Sequence, residues 1–580
     1  DIVDRAVQFI ASGVQLSQKH HPVFVFNPHT WDRTEPCEVY LPLNKGVACY
    51  MLADANGNEY PLQQCEEKAC PDGLTKALFV PKVPAMGYSV FYLKEAKAKP
   101  QSSVADGVLE NNFYKIKVDP ALGGGIVSIY DKKAKREVLK NGEDGPANRV
   151  VILKEIHDRM ETQHEFYITG QKMLSSDYPA TVTGVKGENF TKLVVKVKMG
   201  TVATIKQEIT LFDGVKRIDL KTVVEDYQDN DDLFTVTFPL DIKGARPVFD
   251  DRFAPAVRCE SDKKLDFQTH QYAMFSRCQV YAANQWLDYG PTVTLLLNGK
   301  GSVNIGMTEI IRSENDNLKN TGDRLLKALT KKAIPVTCYP DKARQPHSTQ
   351  LIHFNEDLMN TDTRFVLSTA GVKNEYEKKL LAACKPALQK SFNDKLAANG
   401  VAVLYMIDSD NVLNKPVDTF LMKAKKIADL NAFVEDFAAK FETGRMAELK
   451  NIVAASPLKT ADDYGTAVIN TGNLACSVER GGLLNMMLFH TAEFYGNIGK
   501  TTGHGELIPE QKTHIFTYAL YPHEGSYREA EVYRKALEFN DRLIGVTDVS
   551  PAEKHVLPES KSFVKSNPDF VVTAFKLKGY

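Results

Sequence analysis

The chain has 580 residues, 43% apolar and 25% charged, and 72 Lys and Arg against 73 Asp and Glu leave a net charge of −1. That length predicts three or four domains with sizeable cores. The near-neutral balance, with no Lys/Arg cluster interleaved with aromatics, gives no footprint for nucleic acid or an acidic membrane. No apolar run approaches the ~20 residues that span a bilayer. Nine cysteines form no CxxC pair, which removes the zinc-ribbon and dithiol redox motifs. Cys65 and Cys70 either form a loop disulfide or stand as separate thiols, so the compartment stays open.

In chain order, Val3, Val7, Ile10, Val14 and Leu16 recur at helical spacing and predict a helix over residues 1–18, about four or five turns long. Its apolar stripe needs cover, and other helices are the natural partners. Asp1 is no initiator Met and Phe570–Phe575 reads as a strand near the end, so both ends are expected to be cuts through a longer protein. Residues 21–100 read as a small β-sandwich, with strand signals at Val23–Phe26, Val39–Pro42, Val47–Leu52, Ala77–Val80 and Tyr88–Tyr92. The Asp54–Glu59 turn has a faint likeness to a calcium loop, but Gly57 comes too early and no helices flank it, so a hairpin is expected. Residues 94–104 read as a linker.

The stretch Leu109–Leu139 is the most strongly patterned in the chain. Two alternating runs, Phe113–Val118 and Ile126–Tyr130, flank Asp119-Pro120 and Gly123-Gly124-Gly125, which supply turn chemistry and positive φ. A β-hairpin is predicted there, opening a large antiparallel sandwich over residues 105–345. Further strands are signalled at Leu193–Val197, Ala203–Leu211, Arg217–Val224 and Leu233–Pro239, with Asp213-Gly214 as a tight turn. Between 360 and 457 the texture becomes βαβα, which reads as an inserted α/β module: strand Arg364–Ser368, helix Asn374–Ala398, strand Val401–Ile407, helix Val417–Lys440. Asp408-Ser409-Asp410 follows its second strand, either as a ligand-binding end or as a solvated one. Strand texture returns over 460–580. The fold class is therefore mainly β, with large antiparallel sandwiches, one N-terminal helix and one α/β insertion.

The chemistry is sparse. Neither HxxxH nor HxD occurs, nor GxSxG, a Walker loop or a dinucleotide fingerprint, so no catalytic residue and no metal ligand is assigned in this chain. His157-Asp158 and His164-Glu165 place His beside carboxylate, but on a strand adjacent residues face opposite sides. His164, Glu165 and Tyr167, in a polar and aromatic stretch, either line a cleft or form a polar loop. Trp286 is either a sugar-stacking platform or a core aromatic. One sequon, Asn189-Phe190-Thr191, carries no weight alone.

Several motifs together resemble glycoside hydrolase family 38 α-mannosidases. Phe24-Val25-Phe26-Asn27-Pro28-His29-Thr30-Trp31-Asp32-Arg33-Thr34 is similar to the entry of that family's β half, and Leu109–Leu139 resembles its β-hairpin motif over nearly all its length. Arg217-Ile218-Asp219, Phe238-Pro239-Leu240, Gln285-Trp286-Leu287-Asp288, Ser477-Val478-Glu479 with Leu483–Leu488, and His514 with Phe516–Gly525 match in order. The resemblance covers most of the chain except the insertion.

It implies a galactose-mutarotase-like supersandwich standing behind an N-terminal catalytic domain that carries zinc and an aspartate nucleophile. Residues 1–20 would then be the last helix of an intervening bundle. The family's zinc and nucleophile motifs have no counterpart here, so the resemblance implies zinc in that other domain, none bound by this chain, and no activity from this chain alone. The implied partners are an α-mannoside glycan and the chain's own catalytic domain, with a homo-oligomer left open. The insertion and the weak match over His157–Tyr167, which lies near the family's substrate cleft, depart from the pattern and leave the preferred mannoside open. A carbohydrate-binding sandwich and a purely structural region remain the alternatives.

Overall fold

A computed structural model of the protein describes residues 2–18, 21–44, 47, 49–65, 70, 73–96, 104, 107–140, 142–157, 166–229, 231–251, 254–261, 281–313, 316–340, 361–371, 374–408, 416–456, 458, 460–472, 475–491, 511–567 and 570–572. The fold is mainly β, as the alternating patterns predict. Its largest core lies between two antiparallel sheets. One has the strand order Phe166–Leu174, Arg149–His157, Asp232–Pro239, Leu483–His490, Ala475–Glu479, Tyr281–Ala282. The other, nine-stranded, runs Ala180–Lys186, Phe190–Met199, Ala203–Phe212, Ile218–Glu225, His514–Glu524, Tyr464–Asn470, Trp286–Gly290, Arg246–Asp250, Pro255–Val257. Val150, Ile152, Val236 and Phe238 of the first meet Leu193, Ile205, Leu220 and Leu520 of the second. Both sheets interleave strands from before 291 with strands from after 463, so the sandwich closes only when the chain returns from the module between them.

The hairpin Tyr114–Asp119 and Gly125–Asp131 forms as predicted and seats Ile116, Val118 and Ile129 in this core. Its glycines are needed for space as well as for conformation. Gly123 and Gly124 have φ of 66° and 68°, and a Cβ on either would collide with Ser175 O or Val195 Cγ1. Two carboxylates then fix the turns. Asp131 accepts from the amides of Lys133 and Ala134 and from Tyr464 Oη at 2.9 Å. Glu137 accepts from the amides of Ile129, Val138 and Leu139 and from Ser128 Oγ.

The small N-terminal unit curls around Val23, Val25, Leu52, Phe79 and Phe91, and the predicted Asp54–Glu59 hairpin is present, with Asp54 accepting from the amides of Asn56 and Asn58. Late residues complete its sheet: Ile544–Val546 pairs with Pro22–Asn27, and Ser560–Ser562 with Gly87–Ala96. Helix α1, Ile2–Ser12, is about three turns, shorter than predicted, and its cover is this sheet rather than other helices. Val7, Ala11 and Val14 pack on Phe24, Phe26, Tyr88 and Tyr92. Ile2 and Phe9 stay exposed. Phe570–Val572 form no strand, and the rest of the predicted terminal strand lies outside the described residues. Cys65 and Cys70 are both thiols, and Asn189 of the sequon is buried, its Nδ2 donating to the carbonyls of Pro61 and Leu78.

A buried ionic knot ties the small unit to the sandwich. Arg217 donates to both oxygens of Glu35 (3.2 and 2.9 Å) and to both of Asp219 (2.6 and 3.3 Å), and its guanidinium lies over the Phe539 ring. Burial opposes the charge, but Asp219 and Glu35 outweigh it and hold the Arg217 pKa above its usual value.

The α/β module centres on a mixed sheet ordered Val336–Pro340, Thr308–Arg312, Thr363–Thr369, Val417–Ala424, Val401–Asp408, Val453–Ala455. Helices α2 (Lys319–Thr330) and α5 (Ile427–Thr443) cover one face, with Leu325, Leu329, Val434 and Phe437 against Ile310, Phe365 and Met422. Helices α3 (Glu375–Ala383) and α4 (Pro386–Asn399) cover the other, with Tyr376, Leu380 and Phe392 against Val366, Leu404 and Leu421. Two predictions fail here. Asn374–Ala398 is two helices, because Pro386 has no amide proton to continue the first and holds Lys385 extended at ψ 136°. Val417–Lys440 is not one helix: Val417–Ala424 is a strand flanked by strands on both sides, and the helix begins at Ile427. A strand buried on both faces lacks the alternation that would identify it.

Candidate functional site

The residues singled out from sequence do not come together. His164 and Glu165 lie outside the described residues. Tyr167 sits opposite Ile156 near one end of the pair Arg149–His157 and Phe166–Leu174. Trp286 belongs to the nine-stranded sheet, is 2% exposed and stacks on Tyr527 at 5.3 Å, facing the module. Of the two readings drawn from sequence, this is the environment of a core aromatic, with the ring packed on Tyr527.

A cavity lined largely by polar side chains lies on the sheet that carries Tyr167, at the far end. Val150 and Ile152 point into the sandwich, so Arg149 and Val151 point away from it. Register continues a polar row across four strands, with Arg149 opposite Thr237, Thr237 opposite Asn485, and Asn485 opposite Ser477. Together with Lys172, Thr235 and Glu479 these side chains line a cavity of about 110 Å³, with Glu143 and Asp144 beside it. Asn485 Nδ2 donates to Glu479 Oε1 at 3.1 Å, and Thr237 Oγ1, 2% exposed, has no hydrogen-bond partner. Next to it Val151, Leu153 and Leu233 make a small apolar cluster. Arg149 and Ile156 are seven strand steps apart, so Tyr167 is about 24 Å from this row. Cations, carboxylates and neutral donors are mixed in the cavity, an arrangement suited to hydroxyl groups. Among the described residues, no His lines it, and no nucleophile and base are paired there.

A His–carboxylate pair does exist, at a position that sequence reasoning missed. His523 Nε2 lies 2.9 Å from Asp288 Oδ1, with the side chains 1% and 0% exposed. The partners are 235 residues apart and meet because Trp286–Gly290 and His514–Glu524 flank Tyr464–Asn470. Neighbouring backbone seals the pair, since a Cβ on Gly465 would sit 2.6 Å from His523 Cε1. Such a pair ties two strands of the sheet together in its interior. The only sequence signal was indirect: both residues lie in motifs that carried the family resemblance. Asp408, read from sequence as either a ligand-binding or a solvated strand end, accepts from Arg364 Nη1 at 2.6 Å and from Tyr376 Oη. Ser409 and Asp410 lie outside the described residues.

No curated protein matches the chain. Residues 109–293 match the family profile described as the glycosyl hydrolases family 38 C-terminal domain. Among solved structures, the chain is similar to an α-mannosidase from Enterococcus faecalis V583, with TM-score 0.51 and 11% identity over 98% of this chain and 50% of that one. It is also similar to a protein of glycosyl hydrolase family 38 from Enterococcus faecalis, with TM-score 0.49 and 10% identity over 96% and 51%. The chain thus spans about half the length of these structures, and at 11% identity the likeness to the α-mannosidase is one of fold. The stretch that opens with the glycine hairpin, residues 109–293, is therefore similar to the C-terminal domain of glycosyl hydrolase family 38.

Proposed function

We propose that the chain is the β region of a retaining α-mannosidase and that it orients a separate, zinc-dependent catalytic domain on terminal α-mannosides of glycans. The observation that carries this reading is the family profile over residues 109–293, the part that holds the hairpin and most of the sandwich. Its support in the fold is rigidity. The glycine-packed hairpin, the Arg217 knot and the return of residues 464–562 into both β units make a block that can hold a neighbour at a fixed angle.

In a retaining glycosidase one carboxylate attacks the anomeric carbon while a second group protonates the leaving oxygen. Zinc in such a site binds sugar hydroxyls and favours the distorted ring. Among the described residues, no group of three or more His, Cys, Asp or Glu side chains could hold that ion. The role proposed for the chain is orientation, with the zinc and both catalytic groups supplied by the other domain. Incubated with an aryl α-mannoside and zinc, the 580 residues alone are expected to release no aglycone, whereas co-expression with a family 38 catalytic domain gives zinc-dependent turnover. Zinc-dependent hydrolysis by the isolated chain would overturn the proposal, and so would failure of the two parts to form an active complex.

A further inference from the structure

Lys216 stands where three parts of the fold meet. It lies between the Asp213-Gly214 turn and the strand Ile218–Glu225. Its charge interacts with Asp131 and Lys133 of the hairpin, with Glu524 at the end of His514–Glu524, and with Lys535 of helix α6 (Val532–Asn540). The side chain is half-buried, and Nζ lies 5.7 Å from the centre of the Tyr521 ring.

The other charges around it are taken. Lys133 Nζ meets Glu524 Oε2 at 2.6 Å, and Lys535 Nζ meets Glu538 Oε2 at 2.6 Å. Asp131 accepts from two amides and from Tyr464 Oη. Among the described residues, Lys216 has no ion pair and no hydrogen bond. The Tyr521 ring is close to the ~6 Å limit of a cation–π contact, so it walls the ammonium without replacing a counterion. Nζ is not one of the unpartnered polar atoms that lack accessible surface, so a small molecule can reach it. Burial lowers the Lys216 pKa, with Lys133 and Lys535 adding to the shift and Asp131 and Glu524 offsetting only part of it. The contact with Glu524 instead holds the Lys133 pKa above its usual value. An amine that is partly desolvated beside other cations frees its lone pair at lower pH, which is what attack on a carbonyl requires.

We propose that Lys216 is a carbonyl-capture site that takes up small aldehydes as an imine. The Nζ lone pair forms the C–N bond while the carbonyl π pair moves to oxygen, and a proton passes from nitrogen to oxygen to give the carbinolamine. The nitrogen then expels the hydroxyl, which takes a proton and leaves as water, and the last proton on nitrogen returns to solvent. No oxidant or reductant is consumed, and the step is reversible. The site does not depend on the role proposed above, so either reading can fail alone.

The test is to treat the 580-residue chain with limiting glycolaldehyde, trap imines with cyanoborohydride and measure the adduct on each lysine by peptide mass spectrometry. At about pH 7, Lys216 is expected to be modified at least about threefold faster than Lys133, and the ratio to shrink towards about pH 10, where both amines shed their protons. Lys133→Gln, at a side chain 70% exposed, preserves the fold, removes a repelling charge and frees Glu524 to pair with Lys216, so modification of Lys216 should slow about threefold. In Lys216→Arg the fastest adduct on the intact chain should disappear. Modification of Lys216 no faster than that of Lys133, a rate unchanged in Lys133→Gln, or an undiminished first adduct in Lys216→Arg would each overturn the proposal.

Discussion

The sandwich and the α/β module solve the same problem, an arginine buried among carboxylates, in opposite ways. In the sandwich, Arg217 joins Glu35 and Asp219, partners 182 and two residues away, and the contact spans two β units. In the module, Arg364 meets Glu309, Asp408 and Tyr376, all within one mixed sheet and the helix that covers it. The first arrangement staples separate layers, whereas the second rigidifies a single one. The difference matches how the two regions are threaded: the sandwich needs strands from both sides of the module, and the module needs only its own. A buried charge pair is weak evidence for stability in itself but strong evidence for where packing is fixed.

Replacing either arginine by Leu strands its carboxylates and is expected to cost about 3–5 kcal/mol. The comparison predicts different patterns of hydrogen exchange. Arg217→Leu should speed exchange in Pro22–Asn27, Cys37–Leu41 and Ile218–Glu225, and Arg364→Leu only in the strands and helices of the module. Identical patterns for the two variants would mean that the regions fold as one cooperative unit, and the contrast would disappear.

Trp286 lies on the seam, in the apolar cluster that joins the nine-stranded sheet to α2 and α5. Trp286→Ala should remove about 3 kcal/mol, as large-to-small changes in cores do, and should split a single melting transition into two. If the substitution instead lowers mannoside turnover of an assembled enzyme with no change in melting, the ring acts on sugar binding and does not hold the seam.

How much of this was legible follows the range of the signals. The hairpin at 114–131 could be read because Asp-Pro, Gly-Gly-Gly and period-two alternation are local. The break before Pro386 was equally local, and the proline already marked it. Val417–Ala424 was opaque, because an apolar strand buried on both faces has no period of its own and only its neighbours decide its state. The Arg149–Thr237–Asn485 row and the His523–Asp288 pair were beyond sequence reasoning, since each depends on the register of segments up to hundreds of residues apart. The family resemblance did single out Arg217, Asp288 and His523, but as motif members; their roles as junction residues emerge only from packing.

The seam also carries a titration that sharpens the comparison at the smallest scale. Arg246 of the sandwich donates to Asp418 Oδ2 of the module at 2.8 Å, while on the same strand and face Asp250 meets only the Gln285 amide, at 3.1 Å, among its resolved partners. Burial, reinforced by Asp251 and only partly offset by that amide, pushes the Asp250 pKa from 3.8 to about 6. A carboxyl that keeps its proton longer when folded weakens the fold as pH rises: the penalty is absent below the unfolded pKa and complete above the folded one. Asp250→Asn keeps the carbonyl that accepts from Gln285 and removes the ionisation. The variant should therefore match the parent near pH 4 and exceed it above about pH 6, by about 1 kcal/mol once solvent screening of this partly exposed group is allowed for. Urea denaturation across that range measures the difference, and a gain of the same size at both ends would assign it to packing at the seam rather than to charge.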